Sequence, residues 1–294
     1  MLQEKFINYI KFEKRYSQHT VIAYQTDLAQ FQIYLQAKYN IGGIENSDYS
    51  IIRSWMVSLM EAAVTPRTIR RKITVLNSFF KFIIKEGVIS ENPMAKVIVP
   101  KASKRLPVFV EQNKMDLLLD EIDFGTGFNS YRDRIIIELL YYTGMRLSEL
   151  VNLKEKDIDI YNNSIKVLGK RNKERIIPFG GVLKASLNNY IIEKEKVVSG
   201  EIGNFFLISE NGKKIYQKLV YRLVKHYISM VSTMDKKSPH VLRHSFATHL
   251  LNNGAELNAI KEILGHSNLS ATQIYTHNSI EKLKTIYKQA HPKA

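Results

Sequence analysis

The chain has 294 residues, 45% of them hydrophobic, which is enough to bury a sizeable core in one large or two moderate domains. Its 43 Lys and Arg residues outnumber 28 Asp and Glu residues, and the formal net charge of +15 indicates a polyanionic partner, of which nucleic acid is the commonest. The lack of cysteine excludes a disulfide framework, a thiolate nucleophile and a cysteine-ligated metal site. Charges interrupt the N-terminal segment, and no apolar run approaches the roughly 18 residues of a membrane span. We therefore expect a cytoplasmic protein.

Residues 1–92 show the apolar spacing of helices, with short breaks and no convincing strand. Four helices joined by short loops predict a small bundle. The second helix opens near Ser17, and the last opens at Thr65-Pro66 and stops at Gly87. The inward stripe predicted for the second helix is Ile22, Leu28, Phe31 and Leu35.

The first turns of the last predicted helix in this bundle are basic, although the helix dipole favours acidic groups there. The basic residues are Arg67, Arg70, Arg71 and Lys72. A phosphate backbone nearby would explain this charge, so the three arginines are candidate DNA contacts. The alternative is a basic face that only water contacts.

Residues 93–107 contain three prolines and four basic residues and lack a sustained apolar period. This composition predicts an extended basic linker between two domains, 1–92 and 108–294. Basic linkers can wrap a duplex, which makes Lys101, Lys104 and Arg105 candidate phosphate contacts. A plain tether is the alternative.

The second domain is predicted to be mostly helical with a small antiparallel β-sheet. Its first strong helix, YRDRIIIELLYYTG, is apolar almost throughout its middle, which predicts a buried helix that ends at Gly144. The following MRLSELVNL begins another helix and puts Arg146 at the junction, near Glu149. A functional arginine and a buried arginine that simply pairs with Glu149 both fit this position.

The segment NSIKVLGKRNKERIIPF predicts a β-hairpin, because alternating, β-branched residues flank a Gly-Lys-Arg-Asn turn. Lys170 lies at the tip of this hairpin. Hairpin tips often carry lysine for solubility alone, so a functional role is one of two readings. Further helices are predicted over residues 182–199 and 215–232.

The stretch from Ser238 to His277 is the densest in residues that could carry chemistry. Ser238-Pro239 predicts a helix start, and Gly254 is the matching stop. The apolar stripe of this helix is Leu242, Phe246 and Leu250. The side chains that share another face are His240, Arg243, His244 and Ala247.

A second short helix follows and ends at Gly265, which releases His266 into a turn. Tyr275 comes nine residues later, on a predicted helical turn.

The pair His240 and His244 superficially resembles a zinc-binding helix. A zincin needs glutamate after the first histidine, but Val241 stands there, and Arg243 would put a permanent cation beside the metal. Histidine, arginine and tyrosine together suit phosphoryl chemistry instead, because guanidinium groups stabilise charge on nonbridging oxygens. Tyrosine can serve there as a covalent nucleophile when neighbouring groups activate it.

Four motifs occur in the order TGMRLSEL, LGKRNKER, HVLRHSFATHLL and LGHSNLSATQIYTH. Together they resemble the tyrosine recombinase (phage integrase) family, in the pattern of bacterial Xer recombinases, over essentially the whole chain. The resemblance implies a mainly α fold, with a SAM-like core-binding domain followed by the recombinase catalytic domain. It also implies double-stranded DNA with a dif-like site as substrate, a tetrameric synaptic complex with a second homologous Xer recombinase, resolution of chromosome dimers, a septal DNA translocase as activator, and neither cofactor nor metal.

The positions that match the catalytic motifs of this family are Arg146, Lys170, His240, Arg243, His266 and Tyr275. The resemblance implies that the tyrosine attacks a DNA phosphodiester and forms a 3′-phosphotyrosyl intermediate, which a 5′-hydroxyl of the partner strand then reverses. The arginines would stabilise the transition state, the histidines would position it and assist proton transfer, and the lysine would protonate the leaving oxygen. Arg171 departs from the family, in which glycine often follows this lysine.

Two alternatives stay open. A mobile-element integrase of the same family would share all of this chemistry, although such enzymes often carry an additional arm-binding domain. A catalytically silent DNA-binding protein needs only a basic surface, so the complete set of six matching residues argues against it.

Overall fold

The computed structural model describes residues 2–100, 108–169, 174–197, 204–265 and 277–293. The chain divides into two compact units, Met1–Arg105 and Leu106–Ala294, and each unit has a hydrophobic core. Within the described ranges the chain is mainly helical, as predicted, with a small antiparallel sheet. No helix in those ranges is long and apolar enough to cross a membrane.

The N-terminal unit is the predicted helical bundle. Its helices are α1 (Leu2–Asn8), α2 (Gln18–Tyr39), α3 (Tyr49–Glu61) and α4 (Pro66–Lys85), with a π-helical turn at Tyr9–Glu13 and a 3-10 turn at Ile44–Asn46. Side chains cap α2, α3 and α4, because Ser17, Asp48 and Thr65 each accept a hydrogen bond from the backbone N–H three residues later. The predicted starts of α2 and α4 are therefore confirmed.

Helix α2 corrects one detail of the predicted inward stripe. Leu28, Phe31 and Leu35 are buried, but Ile22 is 48% exposed and Val21 is buried instead. Leu28 lies six residues after Ile22, a rotation of about 240° around a helix with 3.6 residues per turn, whereas seven residues after Val21 returns to within about 20° of the same direction.

The C-terminal unit surrounds a helix that is buried on nearly all sides, α6 (Phe128–Thr143). The other α-helices in the described ranges are α5 (Gln112–Asp116), α7 (Leu147–Leu150), α8 (Gly181–Val197), α9 (Gln217–Val231), α10 (Pro239–Asn252), α11 (Leu257–Leu264) and α12 (His277–Ala290). A π-helical turn at Leu117–Glu121 extends α5, and a 3-10 turn covers Glu155–Asp157. Helix α6 packs mainly against α8 and α10. Tyr141, Tyr142 and Tyr287 belong to the core of this unit and are at most 2% exposed.

The sheet has the order β1 (Ile158–Asp159), β2 (Ser164–Leu168), β3 (Glu174–Pro178), with antiparallel neighbours. Strands β2 and β3 form the predicted hairpin, in a register that pairs Lys166 with Ile176. The hairpin tip, Lys170, lies outside the described residues.

Candidate active site

The first predicted site arginine lies at the start of α7, directly after the sharp end of α6. Gly144 ends α6 with a left-handed φ of 58°, and a Cβ there would lie 2.4 Å from the Phe246 ring. The chain then turns so that Arg146 occupies the N-cap of α7. Its backbone N–H donates to Glu149 Oε2 at 2.7 Å, and its Nη1 donates to Glu149 Oε1 at 2.9 Å. The pairing with Glu149 is therefore present, yet 33% of the Arg146 side chain stays exposed.

Helix α10 carries the second predicted arginine. The helix begins at Pro239 with Ser238 as N-cap, as predicted, although the serine hydroxyl makes no capping hydrogen bond. The predicted stripe is confirmed, because Leu242, Phe246 and Leu250 are fully buried. Arg243 is 6% exposed and donates to two backbone carbonyls, Gly144 O and, at 2.7 Å, Leu264 O.

The two predicted histidines of α10 lie one turn apart, with ring centroids 5.6 Å from each other. His240 is exposed and His244 is half-buried. Partial burial lowers the pKa of His240 below its ordinary 6.5, and the charges of His244, Lys236, Arg243 and Arg146 lower it further. His240 is therefore mostly neutral at pH 7.

Three arginines meet at the C-terminal end of α11. Its last carbonyls have no intrahelical partners and lie at the negative end of the helix dipole, so they attract cations. The contacts are Arg175 Nε to Ile263 O at 2.7 Å, Arg243 Nη2 to Leu264 O at 2.7 Å, and Arg146 Nη2 to Gly265 O at 3.0 Å. Three consecutive carbonyl oxygens thus each accept from a different guanidinium group, immediately before the predicted site residue His266.

Arg175 was not among the residues predicted for the site. It lies on β3, is 3% exposed and donates from Nη1 and Nη2 to Glu149 Oε1 and Oε2 at 2.8 and 2.7 Å. The strand alternation puts it on the same face as the buried Ile177. That inward position of a charged residue was the available sequence signal, but its partner Glu149 lies 26 residues away in the chain.

The charges of Arg146, Arg175 and Arg243 at the end of α11 exceed the negative charge beside them. Within the described ranges, three guanidinium groups converge and Glu149 is the carboxylate that pairs with two of them. Burial lowers the pKa of Arg243 to about 9, with the charges of Arg146 and Arg175 adding to the decrease, so the group stays protonated at pH 7. Burial alone would raise the pKa of Glu149, but the hydrogen bonds and charges of Arg175 and Arg146 outweigh it and lower that pKa. The arrangement suits binding of an anion.

Several predicted site residues lie outside the described ranges. They are Lys101, Lys104, Arg105, Lys170, His266 and Tyr275. Among the described residues, no group of three or more histidine, cysteine, aspartate or glutamate side chains is arranged to hold a metal ion.

The comparisons with known sequences agree with the motif resemblance. The sequence model of the phage integrase family matches residues 109–282, and that of the phage integrase N-terminal SAM-like domain matches residues 4–87. The chain belongs to the phage integrase family.

Relatives that match over nearly the whole chain identify its activity. A "Tyrosine recombinase XerC" of Bacillus licheniformis is 37% identical, over 98% of this chain and 95% of the relative. A protein of the same name from Staphylococcus aureus is 38% identical, over 100% of this chain and 97% of the relative. This member of the phage integrase family is therefore a tyrosine-type site-specific recombinase.

Two solved structures share the fold of this chain. A XerH site-specific recombinase bound to palindromic difH substrate superimposes with a TM-score of 0.72 at 23% identity, covering 96% of this chain and 83% of the other. The Tn1549 transposon integrase in complex with transposon right end DNA gives the same TM-score at 22% identity, covering 96% and 97%.

The SAM-like match includes the basic turns of α4. The basic side chains there differ in exposure and in their ion-pair partners more than the sequence suggested. Arg67 and Arg70 are exposed. Lys72 is 5% exposed and donates to Asp27 Oδ1 at 2.9 Å, and Arg71 also pairs with Asp27. Lys72 is therefore part of the bundle core and not of a basic face.

Proposed function

We propose that this recombinase cuts and rejoins DNA through a 3′-phosphotyrosyl intermediate with Tyr275 as nucleophile. The observation that carries the proposal is the meeting of Arg146 and Arg243 at the end of α11, beside a neutral, exposed His240. Two guanidinium groups with excess positive charge match the negative charge that builds up on a phosphate under attack.

In the proposed cleavage step, the Tyr275 oxygen attacks the scissile phosphorus and the bond from phosphorus to the 5′-oxygen breaks. The 5′-oxygen takes a proton from Lys170 and leaves as a hydroxyl. Arg146 and Arg243 bind the nonbridging oxygens, while His240 and His266 position the phosphate and one of these histidines accepts the proton that the Tyr275 hydroxyl loses. A 5′-hydroxyl from the partner strand then attacks the phosphotyrosine and releases the tyrosine.

The contacts of Arg243 support this role. Its guanidinium group donates to two neutral carbonyl oxygens, which fix its direction without cancelling its charge. Because the phosphotyrosyl bond keeps the energy of the phosphodiester, rejoining requires neither ATP nor another cofactor.

We further propose that two DNA-binding domains, 1–92 and 108–294, are joined by the linker 93–107. Arg67 and Arg70 are exposed on α4 and are free to approach a phosphate backbone. Arg71 keeps about half of its side chain exposed while it pairs with Asp27 and would contribute less. In this proposal Lys101, Lys104 and Arg105 add linker contacts to phosphates.

The biological role that we propose is resolution of chromosome dimers at a dif-like site in the cytoplasm during cell division. The full-length similarity to curated XerC recombinases supports it. By the same similarity, we expect a tetrameric synaptic complex with a second homologous Xer recombinase, and activation by a septal DNA translocase. A mobile-element integrase, which would share this chemistry, remains the second candidate, and the fold shared with both the XerH recombinase and the Tn1549 integrase does not distinguish the two.

The test is a nicked suicide duplex that traps the covalent complex, incubated with the protein in EDTA. We expect a covalent protein–DNA band from the wild type and from Tyr161→Phe, which alters a tyrosine that is 91% exposed. We expect no band from Tyr275→Phe. A band that persists in Tyr275→Phe would contradict the assignment of the nucleophile. Tight binding without a band, even after a partner Xer recombinase is added, would favour the catalytically silent protein.

The two enzymatic candidates differ in substrate. Dif-like duplexes from a chromosome and the ends of a mobile element can be compared in the same trapping assay. Preference for dif-like duplexes supports the proposed role, and preference for element ends supports the integrase.

A further inference from the structure

We infer that Arg175 is a positioning residue for the recombination reaction, which occupies Glu149 and thereby leaves Arg146 available to the scissile phosphate. The inference rests on the proposed cleavage reaction. It concerns a residue that does not itself contact DNA, because Arg175 is 3% exposed.

The hydrogen bonds of Arg175 tie together three separate elements. From β3, its Nη1 and Nη2 form a fork on both oxygens of Glu149 in α7, and its Nε donates to Ile263 O near the end of α11. A two-pronged arginine–carboxylate pair fixes both direction and distance, which a single contact does not. The guanidinium group of Arg175 therefore bridges α7 and the end of α11 directly.

Glu149 transmits that position to Arg146. Besides the fork of Arg175, the carboxylate accepts the backbone N–H of Arg146 and one of its side-chain nitrogens. Glu149 is only 7% exposed, so few water molecules can solvate its charge. A buried carboxylate must be neutralised by nearby cations or take up a proton.

Without Arg175, Arg146 becomes the nearest remaining cation for this carboxylate. Arg146 would then turn its guanidinium group onto Glu149 and away from the exposed side, where a third of its side chain now lies. The loss of Arg175 would thus reduce phosphate binding by Arg146 without removing any residue that touches DNA. Arg175 acts through Glu149, which defines it as a positioning residue.

A second contact links Arg175 to the chain just before His266. A Cβ on Gly265 would lie 3.0 Å from Arg175 Cδ and 3.1 Å from its Nη1, so the guanidinium group packs directly on the glycine that ends α11. Gly265 has a left-handed φ of 65°. Arg175 therefore also supports the turn from which the predicted His266 follows.

The experiment measures single-turnover cleavage of the suicide duplex at saturating protein by wild type, Arg175→Met, Glu149→Gln and the double variant. We expect Arg175→Met to cleave about 100-fold more slowly, the size of effect expected when a transition-state group is misplaced by about 1 Å. Adding Glu149→Gln should recover at least about 10-fold of that loss, because the uncompensated carboxylate is gone. If the role of Arg175 is only structural, adding Glu149→Gln should slow cleavage further.

The pH profile gives an independent readout. In Arg175→Met we expect burial to raise the pKa of Glu149, with Arg146 and Arg243 as the remaining cations that face it. Cleavage by this variant should then rise relative to wild type as the pH falls from 7 towards 5 and Glu149 takes up a proton. An unchanged ratio across this range contradicts the inference.

Arg132 offers a matched control, since it is also a buried arginine paired with a carboxylate, at 7% exposure and 2.7 Å from Asp133. Arg132→Met should lower stability without a cleavage defect that Glu149→Gln relieves. If Arg175→Met does not fold by circular dichroism, Arg175→Gln replaces it, because glutamine keeps hydrogen-bonding atoms but removes the charge that balances Glu149. Slow cleavage relieved by Glu149→Gln is again expected, and wild-type cleavage by Arg175→Gln would overturn the inference.

The controls separate this inference from the proposed function. If the wild type forms no covalent product, the proposed reaction itself fails. If the wild type cleaves and Arg175→Met cleaves equally fast, only the role of Arg175 fails.

Discussion

Each unit of the molecule holds a buried carboxylate between two cations, and the two arrangements differ in what surrounds them. In the bundle, Asp27 is 1% exposed and binds Lys72 and Arg71, neighbours on α4. In the C-terminal unit, Glu149 binds Arg175 from β3 and Arg146 from its own helix. The first pair joins two helices of a core, whereas the second lies beside a third buried guanidinium group, Arg243.

The difference shows how similar ion pairs can serve stability in one place and chemistry in another. Lys72 lies 5.9 Å from the Trp55 ring inside the bundle, so its charge is enclosed. Arg146 is one-third exposed and shares a helix end with two other arginines, so its charge is available to an incoming anion. Excess positive charge at a partly open position distinguishes the candidate active site.

The largest expected difference concerns Arg146 and Arg71, two partly exposed arginines that each pair with a buried carboxylate. Arg146→Ala should slow cleavage of bound DNA about 1,000-fold, because it removes stabilisation of the transition state. Arg71→Ala should stay within about threefold of wild type. Single-turnover rates at saturating protein measure both. Equal losses in the two variants would remove the distinction between the two pairs.

The buried ion pair of the bundle should matter for stability. Asp27→Ala should destabilise the bundle by about 3 kcal/mol, because it leaves Lys72 buried without its carboxylate. The chain has a single tryptophan, Trp55, in the core of this unit, so its fluorescence during urea unfolding reports on the bundle. The double variant Asp27→Ala/Lys72→Met should recover much of the loss. An unchanged unfolding midpoint in Asp27→Ala contradicts this assignment.

A smaller effect is expected on the exposed part of α4. Arg67→Ala and Arg70→Ala should each weaken DNA binding about threefold to tenfold, independently of sequence, and reduce the slope of log K against log salt by about 1. Fluorescence anisotropy between 50 and 200 mM salt measures the slope; these concentrations are about those over which phosphate contacts lose most of their strength. A double variant with the wild-type slope would show that water alone contacts this face.

The smallest effect concerns the proton on His240. Its pKa is lowered in the free protein by burial and by His244, Lys236, Arg243 and Arg146. A bound phosphate should raise it again, so that DNA binding near pH 6 takes up protons. The same shift implies that stability falls as the pH drops below about 6.5, since the unfolded chain then binds the proton first. Calorimetry in two buffers of different ionisation enthalpy measures the uptake, and His240→Gln should reduce it. Equal uptake by both proteins would contradict the assignment.

Local features of the fold could be predicted from the sequence because their causes are local. The caps at Ser17 and Thr65, the buried stripe of α10 and the β2–β3 hairpin each depend on residues within one or two turns of chain. Arg146 and Arg243 were found through motifs, and the structure brings them together.

Pairings between distant residues could not be predicted in the same way. Lys72 was grouped with a basic face because its partner Asp27 lies 45 residues away. Arg175 depends on a carbonyl 88 residues later and on a carboxylate in another element. Such partners are set by how helices and strands pack, and the apolar pattern of each element does not specify them.

Arg146 is proposed to use its charge on the phosphate, and a duplex with a neutral scissile group tests that claim. A suicide duplex with a methylphosphonate at the scissile position lacks one negative nonbridging oxygen, so less charge develops during attack. Single-turnover cleavage of this duplex and of the normal one is compared for wild type and Arg146→Ala. We expect the roughly 1,000-fold deficit of Arg146→Ala on phosphate to shrink at least about 10-fold on methylphosphonate. An equal deficit on both duplexes would contradict the claim and assign Arg146 to the support of the fold around Glu149.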